Sequence, residues 1–252
     1  INGELHAPLG SGVELEPGKS YTVEVVIRTL KLGHLLTQGT VDSNELWLEL
    51  EVQDGAGRDI ARSGAIDENG DVDPASHFVN AFVRDRHGNR IDRRNAQDIF
   101  VPLYNNQIAP GSAKLARYEF TVPENAAGPL RLSGRLLYRK FDSTLMRFVK
   151  GPDYRNDLPV SVVGEGSVEV AVAGAAGARA AEAPALTGDP PEWMRWNDYG
   201  IALLSAGQGA DLLNAESAFA RVEELGNFNG PLNLTRVYLA EGEVRGKARE
   251  AL

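Results

Sequence analysis

The 252-residue sequence contains no cysteine. This absence excludes disulfide bonds, cysteine-ligated zinc, a thiol nucleophile and covalent attachment of a c-type haem within these residues. The sequence also lacks an apolar run of about 18 residues, the length that a membrane-spanning helix needs. We therefore predict that this chain carries neither a membrane span nor a haem of its own.

Basic residues are few, because 26 Lys and Arg stand against 35 Asp and Glu, and the formal net charge is −9. Domains that bind nucleic acids normally present a basic face that neutralises phosphates. The charge balance therefore predicts that nucleic acid is not a partner.

Motifs of common hydrolases and nucleotide-binding enzymes are missing as well. The sequence has no Gly-x-Ser-x-Gly, no His-Glu-x-x-His and no phosphate-binding glycine loop. We predict that the chain is not an enzyme, although carboxylate spacing alone does not exclude a glycosidase pair.

Apolar residues recur with a period of two between residues 21 and 172, a pattern typical of strands that bury one face. Leu46, Leu48 and Leu50, for example, alternate with Trp47 and Glu49. The pattern predicts about eight strands, at residues 21–28, 46–52, 77–84, 98–104, 115–122, 130–138, 158–163 and 167–172. Short turns separate them, which favours an antiparallel, immunoglobulin-like β-sandwich over residues 1–172.

The composition changes after this region. Residues 173–191 are mostly Ala, Gly and Pro, which cannot supply a core and which predict a linker. Residues 192–252 follow with a helical period, in which Trp193, Trp196 and Tyr199 fall on one stripe. The predicted fold is therefore mainly β with an α C-terminus made of helical hairpins.

Eight residues of the helical region have the spacing of a known repeat: Trp196, Tyr199, Gly200, Leu203, Gly207, Ala215, Phe219 and Val222. The pattern resembles the tetratricopeptide repeat. This resemblance implies that Trp193, Trp196 and Tyr199 belong to the repeat core or to an interaction surface. A ligand platform is the alternative for the two tryptophans.

Segments of the β region also follow a familiar order: Gly33-His34, Gly39-Thr40, residues 42–50, Ser63-Gly64, residues 67–74, Arg93-Arg94-Asn95, residues 138–141 and residues 147–149. Their order resembles the domain that precedes tetratricopeptide repeats in bacterial multihaem c-type cytochromes. The resemblance implies an exported, periplasmic or extracellular electron-transfer protein, whose haem c groups lie upstream of this chain. Because the chain begins at Ile1 and ends in a helical pattern at Leu252, we expect it to be a fragment of such a protein.

His34 follows Gly33 in a polar turn of this region. Neutral imidazole is a good axial ligand of haem iron. We therefore consider His34 a haem contact in the parent protein, and the alternative is a histidine that caps a loop.

Oxygen-bearing side chains alternate along another loop, at Asp67, Asn69, Asp71 and Asp73. Calcium prefers oxygen ligands in this kind of pattern. The loop resembles the opening of a calcium-binding loop, but Val72 stands where such loops have glycine. A solvated turn is the alternative.

Five arginines form the basic cluster of this acidic chain: Arg84, Arg86, Arg90, Arg93 and Arg94. Guanidinium groups bind carboxylates through two parallel hydrogen bonds, so the cluster is suited to haem propionates or to an acidic partner protein. Because aspartates are interleaved with these arginines, a salt-bridged hairpin is the alternative.

Two functions fit these observations. The first is a non-catalytic structural and protein-interaction fragment of an exported multihaem cytochrome-like protein. The second is a calcium-stabilised carbohydrate-binding or adhesin-type β-sandwich with an interaction array. Cys-x-x-Cys-His motifs upstream of Ile1 are expected under the first function only.

Overall fold

Ten strands and four α-helices form the described part of the computed structural model, which comprises residues 13–37, 39, 41–175, 190–207 and 209–242. The strands are β1 (Glu14–Leu15), β2 (Ser20–Arg28), β3 (Glu45–Gln53), β4 (Asp59–Ser63), β5 (His77–Phe78), β6 (Ala81–Arg84), β7 (Val101–Asn105), β8 (Ala113–Thr121), β9 (Leu130–Arg139) and β10 (Val160–Val172). The helices are α1 (Ser143–Lys150), α2 (Glu192–Ala206), α3 (Gly209–Glu224) and α4 (Asn229–Ala240). The fold is therefore mainly β with helices at its C-terminal end, as predicted. Most of the predicted linker and the end of the predicted repeats lie outside the described residues.

The larger sheet has six strands in the order β1-β10-β9-β3-β4, and β5 also pairs with β3. Leu46 lies opposite Tyr138 and Trp47 lies opposite Leu137 in the β3–β9 pair. All pairings in this sheet are antiparallel except that of β1 with β10, which is parallel. The antiparallel prediction therefore holds for the body of the sheet and fails at β1.

The core lies between this sheet and a second sheet made of β2 and β8. Phe120 and Val122 pack against Leu130 at one end of the core, and Ile27 packs against Leu46 at the other. Since side chains alternate along a strand, this packing leaves a second face of β2 and β8 directed away from the core.

Strand β3 is buried on both faces, whereas its alternating sequence predicted one wet face. Trp47 has no exposed surface and packs with Val72 and Leu137 on the side away from the core. Its indole Nε1 donates a hydrogen bond to the carbonyl oxygen of Gly64 at 3.0 Å. The loop that contains Gly64 and Val72 therefore covers the outer face of the sheet.

Several local differences separate the structure from the predicted strand pattern: β1 was not predicted, and the strand predicted at 77–84 forms two strands, β5 and β6. Strand β4 had no predicted counterpart, and the segments predicted at 158–163 and 167–172 form the single strand β10. Helix α1 occurs inside the β region, where no helix was expected. It begins because the side chain of Asp142 caps it, accepting a hydrogen bond from the Leu145 N–H at 2.7 Å.

The C-terminal helices pack on the outer face of the β2–β8 sheet, where Val26 and Leu115 contact the helical core. Two ion pairs join the layers, with 3.0 Å between Arg28 Nε and Asp198 Oδ1 and 2.5 Å between Arg117 Nη2 and Asp211 Oδ1. Within the helices, a Cβ on Gly200 would lie 2.6 Å from the ring of Phe219. Glycine is therefore required where α2 meets α3.

Candidate functional site: an arginine-rich surface

Residues 84–94 fold back beside β6 through a tight turn. The Asp85 carboxylate accepts hydrogen bonds from the backbone N–H groups of His87 and Asn89, both at 2.8 Å. Hydrogen bonds led by one from the Asn89 side chain lower the pKa of Asp85 below its ordinary value. Arg84 and Arg90 then face each other as an antiparallel bridge, so both arginines emerge from a fixed hairpin.

Three arginines of this segment lie within 5 Å of a phenylalanine ring centroid, and Arg84 also lies over the Phe82 ring, at 5.8 Å. The pairs, with the distance from guanidinium carbon to ring centroid, are Arg90 over Phe82 (4.9 Å), Arg93 over Phe148 (4.6 Å) and Arg94 over Phe141 (4.7 Å). A cation attracted to a ring face keeps its N–H groups at the rim, where they can bind carboxylates. We call these three arginines, together with Arg84 and Arg86, the arginine surface.

Carboxylates border the arginine surface without neutralising it. Arg90 Nη2 lies 3.7 Å from Asp142 Oδ2, and Arg93 Nε lies 3.4 Å from Asp92 Oδ1. Burial raises the pKa of Asp142 to about 6, although the Leu145 hydrogen bond and Arg90 act in the opposite direction. These long ion pairs leave the side chain of Arg93 58% exposed and able to meet a partner.

A buried ion pair ties the adjoining sheet to its covering loops. The Arg139 side chain is 1% exposed, and its Nε donates to Glu45 Oε2 at 2.7 Å. Its Nη1 donates to the carbonyl oxygens of Gly70 at 2.7 Å and Asn156 at 3.2 Å. Burial raises the pKa of Glu45 to about 7, and Arg139 opposes that rise. Arg139 therefore joins two strands and two loops at one point.

The four residues considered as calcium ligands lie in one of these covering loops. Asp67 Oδ1 accepts the backbone N–H groups of Asn69 and Asp71, both at 2.8 Å. Asp73 Oδ1 accepts the N–H of Ala75, and Asp71 Oδ2 pairs with Arg147 Nη2 at 2.9 Å. Within the described ranges, no group of three or more His, Asp or Glu side chains is arranged to hold a metal ion.

His34 is exposed, and its imidazole ring contacts the backbone of the residue that follows it. Its Nδ1 is 2.9 Å from the carbonyl oxygen of Leu35. Because a carbonyl can only accept, this contact requires the proton on Nδ1 and leaves the lone pair of a neutral ring on Nε2.

Trp193, Trp196 and Tyr199 lie on α2 in the helical layer, and within the described ranges no ion pair or ring contact joins them to the arginine surface. The Trp196 and Tyr199 rings meet edge to face, with 6.4 Å between their centroids. Tyr199 is buried, and its hydroxyl donates to Glu24 Oε2 on β2 at 2.5 Å. Burial, the Glu24 hydrogen bond and the Glu24 charge raise the pKa of Tyr199 well above its usual value. Tyr199 therefore helps to join the helices to the sheet.

Sequence reasoning missed four residues that contact the arginine surface: Phe82, Phe141, Asp142 and Phe148. One signal was available, because Asp142 followed by Leu145, Met146 and Val149 has the spacing of a capped amphipathic turn. Phe141 and Phe148 had no such signal, since their contacts with Arg94 and Arg93 join residues far apart in the sequence.

Comparison with known proteins found a structural likeness to a cytochrome. No protein-family model matches the chain, and no curated protein matches it significantly. A penta-heme cytochrome c552 from Thermochromatium tepidum is similar in structure, with a TM-score of 0.44 and 19% sequence identity. The match covers 65% of this chain and 41% of the cytochrome, so this chain spans less than half of that protein's length. None of the helices in the described ranges is long and apolar enough to cross a membrane.

Proposed function

We propose that this chain is a non-catalytic interaction module of an exported, periplasmic or extracellular, multihaem electron-transfer protein. In this proposal, the β region is an immunoglobulin-like sandwich and α2 to α4 begin a tetratricopeptide-type array. The haem c groups are bound outside this chain. The arginine surface contacts an acidic partner or the haem propionates.

One observation carries the proposal: three guanidinium groups are fixed on rings at the surface of a chain whose net charge is −9. A side chain that is ordered before binding loses less entropy when a partner arrives. Arginine and aromatic side chains are also enriched in protein interfaces. The sequence resemblance to multihaem cytochromes supplies the electron-transfer part of the proposal.

A charge reversal tests this function in the longest natural polypeptide that contains the chain, produced with c-type haem maturation. We expect a haem c absorption spectrum, and we expect Arg93→Glu to lower the reduction potential of at least one haem, because a nearby negative charge favours the ferric state. Arg131→Glu is the matched control, since Arg131 is an exposed residue at the opposite end of β9.

Absence of haem from that polypeptide would contradict the electron-transfer assignment. Equal effects of the two charge reversals would contradict the role of the arginine surface.

The proposal also retains His34 as a haem contact in the parent protein, because its Nε2 bears the lone pair that iron accepts. His34→Ala is expected to change the spectrum and potential of one haem. An unchanged spectrum in the same polypeptide would remove His34 as a ligand and leave the interaction module in place.

A further inference from the structure

Strand β7 presents a backbone edge with apolar side chains. Among the described strands it pairs with β6 alone. Phe100, Val101 and Leu103 are 67%, 45% and 60% exposed. An apolar strand with one unpaired edge is a template for another extended segment.

Backbone hydrogen bonds at both ends of β7 define which groups face the unpaired edge. Phe100 N–H donates to the Arg84 carbonyl oxygen at 2.8 Å, and Asn106 N–H donates to that of Asn80 at 2.7 Å. The register of the β6–β7 pair shifts between Phe82 and Val83, which marks a bulge, so peptide groups do not alternate regularly along the whole of β7. On the regular side of the bulge, the N–H group of Asn105 precedes that of Asn106 and points away from β6. Pro102 has no N–H, so the edge accommodates a short segment only.

The charge beside this edge is positive. The hairpin of residues 84–94 contains five arginines and two aspartates, and its returning segment pairs with the end of β6 on the side away from β7. Arg84 lies opposite Val101 across the β6–β7 pair, which brings one arginine of the hairpin beside the apolar strand. Two copies of this edge would bring like charges together, which disfavours self-pairing, whereas an acidic segment would complement it.

We propose that β7 binds an extended acidic segment of a partner protein by β-strand addition. The partner segment forms backbone hydrogen bonds along β7, and its acidic side chains meet the arginine surface. This inference rests on the interaction-module part of the proposed function and does not depend on whether the partner contains haem.

Calorimetric titration of the full chain with synthetic peptides tests the inference. The probe is a capped heptapeptide of alternating Glu and Val, and its counterpart has Lys in place of Glu. We expect the acidic peptide to bind at least about ten-fold more tightly than the basic one at low salt. A third probe is the acidic heptapeptide with N-methyl groups on the alternate backbone nitrogens that would face β7. We expect it to bind at least about ten-fold more weakly, because it lacks the N–H donors that strand addition needs.

A matched pair of exposed apolar residues provides the protein control. Leu103→Asp should weaken acidic-peptide binding by about ten-fold or more through charge repulsion. Val163→Asp should leave it within about two-fold, because Val163 is 55% exposed on β10, away from the arginine hairpin in sequence and pairing.

Three results would overturn the inference: no binding of the acidic peptide, equal affinity for both peptides, or no effect of nitrogen methylation. Self-association of the chain that Leu103→Asp abolishes, without peptide binding, would identify the edge as a contact between copies instead. The methylated peptide keeps the test decisive if Leu103→Asp fails to fold. The two proposals can fail separately. If the acidic peptide does not bind but Arg93→Glu still lowers the haem potential, strand addition is rejected and the proposed function stands.

Discussion

At the scale of single residues, the surroundings decide what an arginine does in this protein. Arg139 and Arg135 lie on the same strand and pair with carboxylates of β3, Glu45 and Glu49. Arg139 is enclosed by covering loops, whereas the side chain of Arg135 is 47% exposed. Water screens the second pair and not the first, so the two pairs differ in what their loss would cost.

Replacing Arg139 with Met should therefore destabilise the protein by about 3–5 kcal/mol, because Glu45 would remain buried without its partner. Arg135→Met, the matched control, should cost about 1 kcal/mol or less. Chemical denaturation measures both free energies of unfolding. Equal losses would show that burial of Arg139 contributes nothing beyond a surface pair.

Asp142 makes stability depend on pH in a defined direction. Burial raises its folded pKa to about 6 from an ordinary value of 3.8. A group with a raised folded pKa stabilises the fold below its unfolded pKa, and this contribution is lost as pH rises through the folded pKa. Between pH 4 and 6, the free energy of unfolding should therefore fall by up to about 3 kcal/mol from this group.

Asp142→Asn should remove that contribution while preserving the helix cap, because Asn is also a good N-cap residue. The measurement is denaturation of both proteins across this pH range. Asp85→Asn is a control in which the change of stability with pH has the opposite sign. The folded pKa of Asp85 is lowered, so its contribution to stability is lost as pH falls. An unchanged pH dependence in Asp142→Asn would contradict the assignment.

At the scale of elements, the loop with the calcium-like pattern is held by the protein's own donors. Backbone N–H groups occupy Asp67 Oδ1, and the Arg147 guanidinium occupies Asp71 Oδ2. A cation at this position would compete with a charged side chain that α1 already provides. The loop therefore acts as a cover for the sheet, attached to α1 through Arg147.

We expect millimolar Ca²⁺ to leave the melting temperature unchanged, because these carboxylate oxygens already have partners. Thermal unfolding with Ca²⁺, and with Mg²⁺ as the control for ionic strength, measures the effect. A rise of several degrees with Ca²⁺ alone, abolished by Asp71→Ala, would support the carbohydrate-binding or adhesin alternative.

The sequence predicted the strands and helices that have regular patterns. It did not predict which loops and helices pack over them. The alternation of Leu46, Leu48 and Leu50 with Trp47 and Glu49 located β3, but burial of Trp47 depends on a loop that returns to the sheet. The spacing of Tyr199 and Gly200 located α2. The hydrogen bond from Tyr199 to Glu24, which attaches α2 to the sheet, was not predictable because it joins residues far apart in the sequence. The arginine cluster was visible in the sequence, whereas two of the rings beneath it, Phe141 and Phe148, come from a distant segment.

At the scale of the whole molecule, three layers lie in succession: the six-stranded sheet, the β2–β8 sheet and the helices. Helix α2 contacts β2 and β8 directly, whereas α4 packs on α3 and α2. Stability should therefore decrease from the sheets through α2 to α4.

Native-state hydrogen exchange should show this gradient. Amides of α2 are expected to be nearly as protected as those of β8, and those of α4 to open at a free energy lower by about 2 kcal/mol. The comparison is internal to one sample, so β8 serves as the control. Equal protection of α4 and β8 would mean that the helices and sheets unfold as one unit.

The attachment of the helices to β2 and β8 has a practical consequence for dissecting the protein. Composition suggests a cut after Val172, yet a shortened chain ending there would uncover Val26 and Leu115 and separate Arg28 and Arg117 from their helical carboxylates. The exposed apolar face would favour aggregation during production. Boundaries for recombinant fragments of this protein should therefore follow the contacts between layers, with α2 and α3 kept beside the sheet that they cover.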